Sequence, residues 1–224
     1  MRSLRSPVAF RMSQASFHDP YRLIVITAPD TPLSQLVEGC RAAAGGGATA
    51  VQVRAKGASA SELLRMTEVL IGAVDVPVYV NDRVDVARAA GAHGVHLGSE
   101  DLPVDGVEAA VGSSLALGVS VGSEAEAAAV RAVGAQYWSL GPFHATRTKS
   151  DAGAPLGRSG FQRLAALAPS SLPVIAIGGI DHENLAGVLE AGAAGVAVIG
   201  AIFGADDVER ATRRMRDALD GMLD

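Results

Sequence analysis

The stretch ARAAGAHGVHL, residues 87–97, has the pattern of a helix end, a glycine turn and a short apolar strand. The same succession recurs as AAAGGGATAVQVR (42–54), RAVGAQYWSL (131–140) and LEAGAAGVAVI (189–199). Glycine suits the end of a helix because it adopts a left-handed backbone without a steric penalty. The strands are nearly continuous apolar runs, as in parallel sheets that are covered on both faces. The repeat therefore predicts strands and helices in alternation.

Eight such strands can be counted along the chain, separated by segments of helical periodicity. The predicted strands span 22–27, 49–54, 77–81, 94–97, 115–120, 136–141, 173–178 and 195–200, and helical patterns lie, for example, at 61–74, 123–133 and 206–220. Eight alternations predict an α/β fold, a (β/α)8 TIM barrel in a single domain. The alternative is a doubly wound open sheet, which usually has about five to seven strands. We assign residues 21–224 to the barrel and 1–20 to a disordered N-terminal extension.

Composition argues against several classes of function. A net charge of −5 over 224 residues is unlike a nucleic-acid-binding surface, which clusters lysine and arginine. The single cysteine, Cys40, cannot form an intramolecular disulfide. No apolar run reaches the roughly 18 residues of a membrane helix, and residues 1–20 lack the apolar segment of a secretory signal. We expect a cytoplasmic protein that acts on small molecules, without nucleic-acid or membrane partners, and a homo-oligomer stays open.

Polar and glycine residues gather where the predicted strands end. The active site of a TIM barrel lies at the carboxyl ends of its strands, so these residues would share one opening. In chain order they are Gln52, Arg54, Lys56, Asn81, Asp82, Glu100, Asp101, Ser120, Thr146, Arg147, Thr148, Lys149, Gly178, Gly179 and Gly200. A chance distribution would scatter such residues over both ends of the barrel, so their position indicates a binding site.

Two acids in this set, Asp82 and Asp101, follow neighbouring strands. Magnesium is typically held by one or two carboxylates together with substrate phosphates and water. The alternative is that Asp82 caps the helix that follows it and Asp101 belongs to a turn. Capping accounts for one aspartate but not for two at adjacent strand ends beside cations, so we predict that the pair binds Mg²⁺.

Cations and glycines in the same set predict two anion sites. Arg54, Lys56 and Lys149 match a diphosphate, because arginine binds phosphate oxygens in pairs and lysine adds a mobile charge. The alternative is a rim of surface salt bridges, each worth about 0–1 kcal/mol. AIGGI (176–180) and AVIGAI (197–202) end strands 7 and 8, where TIM barrels often bind phosphate through backbone N–H groups. Tight strand-to-helix turns would explain the same glycines.

These residues resemble the thiamine-phosphate synthase family from about residue 21 to residue 210. The segments that carry the resemblance are VQVRAK (51–56), VNDRVDVARAAGAHGVHLGSEDLP (80–103), LGVS (117–120), GPFHATRTKSDAGAP (141–155), VIAIGG (174–179) and GVAVIGAIFGADD (195–207). The resemblance implies a Mg²⁺-dependent (β/α)8 barrel. Such an enzyme joins 4-amino-5-hydroxymethyl-2-methylpyrimidine diphosphate to 4-methyl-5-(2-phosphooxyethyl)thiazole, and it releases diphosphate and thiamine phosphate.

The resemblance also implies a role for each matching residue. Gln52 and Asn81 would contact the pyrimidine, and Asp82 and Asp101 would bind Mg²⁺. The residues implied for the diphosphate are Arg54, Lys56, Asn81, Ser120 and Lys149. Those implied for the thiazole phosphate are Thr146, Thr148, Gly178 and the backbone of Ile199 and Gly200. No covalent protein nucleophile is expected.

The chain departs from the family pattern at several strand ends. Gly122 stands where many relatives have histidine, Gly200 where many have serine, and Ala28 where many have aspartate. A thiazole tautomerase of the same fold depends on the histidine after strand 5, so Gly122 favours the synthase. A tautomerase-like isomerase and a non-catalytic barrel that binds phosphorylated ligands are the alternatives. His96 lies in an apolar strand, and we expect a core residue with satisfied hydrogen bonds.

Overall fold

Eight parallel strands close into a barrel in the order β1 to β8, which confirms the predicted single-domain (β/α)8 fold. The structure is a computed structural model that describes residues 20–98, 101, 104–112, 114–146 and 153–224. The strands are β1 Leu23–Ile26, β2 Ala50–Val53, β3 Val78–Asn81, β4 Gly94–Leu97, β5 Ala116–Val121, β6 Tyr137–Leu140, β7 Val174–Ile177 and β8 Gly195–Val198. Of the extension predicted at 1–20, all but Pro20 lies outside the described residues.

The helices lie between successive strands. In the described part of the chain they are α1 Leu33–Gly45, α2 Ala60–Ile71, α3 Val84–Ala90, α4 Val104–Val111, α5 Glu124–Val130, α6 Gly157–Ala165, α7 Leu185–Glu190, α8 Gly200–Phe203 and α9 Val208–Leu223. The short α8 was not expected. The strand predicted at 195–200 ends at Val198, because the backbone turns at Ile199 and α8 begins at Gly200. Within the described ranges, every helix is too short or too polar to span a bilayer.

Successive side chains of each strand point alternately to the helices and into the barrel. The outward side chains, such as Val51, Val80 and Val95, belong to the large core between strands and helices. The inward ones, such as Ile24 and Ala197, form a smaller core inside the barrel. Both layers are apolar, which explains why the strand sequences show no polar alternation.

Three tyrosine rings pack together inside the barrel. The ring centroid of Tyr137 lies 4.5 Å from that of Tyr21 and 6.0 Å from that of Tyr79. Two strand glycines make room for these rings. A Cβ on Gly118 would lie 2.2 Å from the Tyr137 ring, and one on Gly94 would lie 2.3 Å from the Tyr79 ring. The tyrosines therefore form a packed floor beneath the strand ends, as expected for a barrel of this size.

The glycine of the sequence repeat has the predicted left-handed backbone in three of its four copies. Gly47, Gly91 and Gly192 have φ of 101°, 67° and 98°. The fourth copy differs, because α5 ends at Arg131 in a right-handed conformation and Gly134 lies three residues further on. A glycine near a helix end thus correctly predicted a turn in all four copies, but it predicted a left-handed backbone correctly in only three.

Arg22 ties the start of the barrel to the last helix. Its guanidinium donates hydrogen bonds of 2.8 Å to Asp220 and to Asp224, and its side chain is 10% exposed. We expect Arg22→Met, which keeps the aliphatic stem, to lower the free energy of unfolding by about 1.5–3 kcal/mol, the range for a lost hydrogen bond to a charged group. Urea unfolding measures the change, with exposed Arg210→Met on α9 as the control. Equal unfolding midpoints for Arg22→Met and the wild type would contradict this expectation.

Candidate active site

A cavity of about 1490 Å³ opens where the strands end. Every predicted site residue that the structure describes lies on its wall. These residues are Gln52, Arg54, Lys56, Asn81, Asp82, Asp101, Ser120, Thr146, Gly178, Ile199 and Gly200. Thr148 and Lys149, like Glu100 and Arg147, lie outside the described residues. Barrel closure thus gathers the described residues at one opening, while the role of each stays a prediction.

The end of β2 places an amide inside the barrel and two cations after the strand. Gln52 is buried, and its Nε2 donates a 2.7 Å hydrogen bond to Oδ1 of Asn81 on β3. Arg54 was expected as the last residue of the strand, but β2 ends at Val53. Thr27 nevertheless fixes the backbone of Arg54, because its Oγ1 accepts from the Arg54 N–H (2.9 Å) and donates to the Arg54 carbonyl (3.1 Å). The arginine side chain therefore starts from a defined position on the cavity wall.

The two acids meet at the ends of β3 and β4. Asp82 has a left-handed backbone with φ of 65°, and its N–H donates a 2.8 Å hydrogen bond to the carbonyl of His96. The Asp101 carboxylate accepts a hydrogen bond from the N–H of Gly98. Burial and the hydrogen-bonded carboxyl of Asp101 raise the pKa of Asp82 to about 6, against the opposing charges of Lys56 and Arg54.

This carboxylate pair fits a hard divalent cation. Two acids close enough to share a proton repel one another when both are ionised, and a cation between them relieves that repulsion. Their oxygen donors are of the type that Mg²⁺ prefers. In the described ranges no group of three acidic, histidine or cysteine side chains comes together as a larger metal site. The donors present therefore suit a metal that takes its remaining ligands from substrate and water.

The raised pKa of Asp82 predicts a particular pH dependence of stability without metal. The folded protein binds this proton more tightly than the unfolded chain, whose aspartate pKa is about 3.9. The free energy of unfolding contributed by Asp82 should therefore fall as pH rises from about 4 to about 6, and stay low above that. Tm measured against pH for the wild type and Asp82→Asn, without Mg²⁺, isolates this contribution.

Added Mg²⁺ should raise the wild-type Tm more at pH 7.5 than at pH 5, because binding requires the ionised pair. The pH profile of Asp82→Asn should lack the fall between about pH 4 and 6. Coinciding profiles for the two proteins would contradict the assignment of a raised pKa to Asp82.

At the end of β7, glycines line the cavity wall with backbone atoms that no side chain covers. Gly178 and Gly179 have left-handed φ values of 97° and 64°. A Cβ on Gly178 would lie 2.6 Å from the Cβ of Pro142, and one on Gly179 would lie 2.5 Å from the carbonyl oxygen of Ala145. In the described part of the chain, the N–H groups of Gly178, Gly179 and Gly200 donate to no backbone carbonyl. These amides are therefore available to bind an anion.

His96 satisfies both of its ring nitrogens inside the barrel, as expected for a core histidine. Its Nδ1 lies 2.8 Å from the Tyr137 hydroxyl, and its Nε2 lies 2.9 Å from Oγ of Ser120. The side chain also lies on the cavity wall. His96 thus connects the tyrosine floor to Ser120, a contact that the sequence did not predict.

The polar residues of the cavity wall that sequence reasoning missed include Ser139 and Glu126. Ser139 lies two residues after Tyr137 on β6, so counting by two from an inward side chain would have found it. Glu126 lies on α5, and its carboxylate accepts a 2.9 Å hydrogen bond from the N–H of Gly122. Its position depends on how α5 packs above the strand end, for which the sequence holds no comparable signal.

Comparisons with known proteins place the chain near one group of enzymes. A family model described as thiamine monophosphate synthase matches residues 23–202. The thiamine-phosphate synthase of Moorella thermoacetica is 42% identical over 191 residues, which cover 84% of this chain and 89% of that protein. The thiamine-phosphate synthase of Pyrococcus furiosus is 40% identical over 205 residues, which cover 90% of this chain and 96% of that protein. The similarity therefore extends over all eight strands.

Solved structures agree with these sequence comparisons. A thiamine phosphate pyrophosphorylase from Pyrococcus furiosus superposes with a TM-score of 0.80 at 36% identity, over 92% of this chain and 98% of that chain. An orotidine 5'-phosphate decarboxylase from Pyrococcus horikoshii has a TM-score of 0.68 at 13% identity, over 88% and 99% of the two chains. The second likeness shows a shared fold alone.

Proposed function

The chain belongs to the thiamine monophosphate synthase family, and from that premise we propose that it is a thiamine-phosphate synthase, a transferase. It joins 4-amino-5-hydroxymethyl-2-methylpyrimidine diphosphate to 4-methyl-5-(2-phosphooxyethyl)thiazole and releases diphosphate. The observation that carries the proposal is a single cavity whose wall holds a carboxylate pair, two cations beside it and the bare amides of glycine turns. These are binding groups for two phosphorylated substrates.

The diphosphate end of the pyrimidine substrate binds on the β2 to β5 side of the cavity. Arg54 and Lys56 supply positive charge there, and both are near enough to Asp82 to oppose the rise of its pKa. Asp82 and Asp101 would hold Mg²⁺, which when bound stabilises the negative charge that develops on a leaving diphosphate. Ser120, held by His96, is placed to donate a hydrogen bond to the same group. Lys149 remains a predicted member of this set.

The pyrimidine ring binds deeper, between Gln52 and Asn81 at the top of the barrel interior. The hydrogen bond between these two amides fixes their orientation before substrate arrives. Such preorganisation lowers the entropy that binding must overcome. The thiazole phosphate binds on the opposite side, at the amides of Gly178 and Ile199–Gly200 with Thr146, and Thr148 remains predicted there. The four-residue α8 is short, so binding relies on these amides more than on a helix dipole.

The substitution breaks one C–O bond and forms one C–N bond. The CH₂–O bond of the pyrimidine substrate breaks, its electron pair leaves with diphosphate, and the ring stabilises the resulting cation. The thiazole nitrogen then donates its lone pair to that carbon. Arg54 and Lys56 stabilise the leaving charge by their own positive charge, which is electrostatic catalysis. The glycine amides hold the nucleophile near the cation. Such proximity can lower the activation free energy by up to about 7–11 kcal/mol. No covalent protein nucleophile takes part.

Incubation with each phosphorylated substrate alone and with both together, with and without Mg²⁺, tests the proposal. A synthase forms thiamine phosphate and diphosphate in equal amounts, and only when both substrates and Mg²⁺ are present. A tautomerase would change the thiazole alone, and a ligand-binding barrel would change neither. Gly122 occupies the place where the tautomerases carry their histidine, which favours the synthase. Absence of thiamine phosphate under all conditions would refute it.

A further inference from the structure

Ser139 carries a buried hydroxyl without a hydrogen-bond partner in the described residues. The residue is 2% exposed, and its Oγ and the Nε of Arg22 are the buried side-chain polar atoms left unsatisfied there. The Arg22 guanidinium is otherwise ion-paired. Of these two residues, Ser139 is therefore the one whose only polar side-chain group has no hydrogen-bond partner. A buried hydroxyl without a partner is unfavourable, because the hydrogen bonds it made to water are not replaced. Because Ser139 lies on the cavity wall, a ligand can supply the missing partner.

The cavity floor around Ser139 is divided into a polar and an apolar arc. The polar arc runs from β2 to β5 and contains Gln52, Asn81, His96 and Ser120. The apolar arc runs over β7, β8 and β1 and contains Ile177, Ala197 and Ile26. In the closed strand order β6 separates the arcs on one side, and β2 borders the apolar arc on the other. Ser139 and Gln52 therefore stand at the two borders, on opposite strands of the barrel.

A 2-methylpyrimidine ring matches this division. Its two ring nitrogens flank the carbon that bears the methyl group, while the amino and CH₂–O groups lie on the far side of the ring. With the methyl group against Ile177, Ala197 and Ile26, the substituted side faces the polar arc and the diphosphate set. One ring nitrogen then faces Gln52, and the other faces Ser139.

We propose that the Ser139 hydroxyl donates a hydrogen bond to the pyrimidine ring nitrogen on the side opposite Gln52. The proposal rests on the proposed function, because it takes the pyrimidine diphosphate as the substrate. Neighbouring polar groups are already engaged, since His96 is bonded to Tyr137 and Ser120. Ser139 is therefore the free donor on the β6 side of the described wall.

This hydrogen bond has a kinetic signature that a merely structural role would not produce. A donor on the ring nitrogen withdraws electron density from the ring, and the ring must release electrons to stabilise the cation at its CH₂ group. The contact therefore strengthens substrate binding without lowering the barrier from the bound state. Losing a group of this kind raises KM and does not lower kcat.

Ser139→Ala tests the proposal. By isothermal titration with Mg²⁺ and without thiazole phosphate, we expect the Kd for pyrimidine diphosphate to rise about 3- to 10-fold, the range of one neutral hydrogen bond. In turnover, the KM for that substrate should rise similarly, while kcat and the KM for thiazole phosphate stay within about twofold. Ser159→Ala is the matched control, since its exposed hydroxyl lies on the same cavity wall. Without ligand, Tm of Ser139→Ala should equal or exceed that of the wild type, because an unpaired hydroxyl is removed.

Pyrimidine diphosphate analogues with either ring nitrogen replaced by C–H identify the acceptor. The wild type and Ser139→Ala should bind one of the two analogues with equal affinity. That analogue lacks the acceptor nitrogen, so the hydrogen bond to Ser139 is already missing in the wild type and its loss in Ser139→Ala has no further effect. The proposal would be overturned if the affinity lost through Ser139→Ala added to the affinity lost through nitrogen replacement for both analogues. It would also be overturned if Ser139→Ala bound pyrimidine diphosphate as tightly as the wild type, which would assign the hydroxyl to a bound water. Failure of the wild type to bind pyrimidine diphosphate would instead refute the proposed function itself.

Discussion

Asp82→Asn is expected to lower Mg²⁺-dependent turnover by about 100-fold or more, the scale for losing one preorganised charge-stabilising group. The change removes one of two adjacent carboxylates and leaves the side-chain volume nearly unchanged. Asparagine is the informative replacement because residue 82 has φ of 65°, and asparagine tolerates that region. Alanine would add backbone strain of roughly 1–2 kcal/mol to the loss of the charge. Steady-state rates over a range of Mg²⁺ concentrations measure the effect.

A nearby exposed acid provides the control for this experiment. Asp85 lies three residues later, in an ion pair with Arg83, and is absent from the described cavity wall. Asp85→Asn should therefore turn over at nearly the wild-type rate. Asp82→Asn should also have a higher Tm than the wild type at pH 7.5 without Mg²⁺, since the repulsion within the carboxylate pair is gone. Turnover of Asp82→Asn near the wild-type rate at saturating Mg²⁺ would remove Asp82 from the mechanism.

Arg54→Ala is expected to reduce kcat/KM for the pyrimidine diphosphate by about 100-fold or more, because the positive charge that would stabilise the leaving group is lost. Arginine can bind two phosphate oxygens at once, and the hydrogen bonds of Thr27 to the Arg54 backbone position the start of this side chain on the cavity wall. Arg54→Lys should restore only part of the loss, since a lysine keeps the charge but not the paired donors. The KM for thiazole phosphate should change little in either variant.

Arg83→Ala separates a contact with substrate from a general effect of positive charge near the site. Arg83 follows Asp82 directly, but its guanidinium pairs with Asp85 and is not among the described residues of the cavity wall. Its removal should leave kcat/KM within about threefold of the wild type, as expected for an exposed ion pair. Equal losses in Arg54→Ala and Arg83→Ala would show that Arg54 acts only through long-range charge.

The strand ends illustrate how far a sequence can locate a site. Asn81 and Asp82 could be assigned to the barrel opening because they directly follow an apolar strand, and the fold puts every such end on one side. Arg54 and Lys56 were also assigned to that opening, but Arg54 was placed on a strand that is longer than β2 in the structure. Strand length was overestimated because polar residues that follow a strand keep its alternating pattern, while the hydrogen-bonded ladder has already ended.

Contacts across the barrel interior could not be predicted in this way. The bonds of His96 to Tyr137 and Ser120 join residues separated by 41 and 24 positions in the chain. They depend on the stagger between neighbouring strands, which no local pattern encodes. The left-handed backbone of Asp82 was equally unexpected, since aspartate seldom adopts it. Tertiary hydrogen bonding of its N–H to β4 accompanies that conformation.

The amino-acid sequence by itself determined the (β/α)8 fold, the family and the end of the barrel that carries the site, because these follow from local periodicity and from the order of motifs along the chain. Only the tertiary structure decided which groups are adjacent there: two carboxylates sharing a hydrogen bond, amides left bare by glycine turns, and the unpaired hydroxyl of Ser139. The physical reason is that hydrogen bonds and charge interactions act over a few ångströms. Distances of that size are set by how the strands close and stagger, not by their separation in sequence.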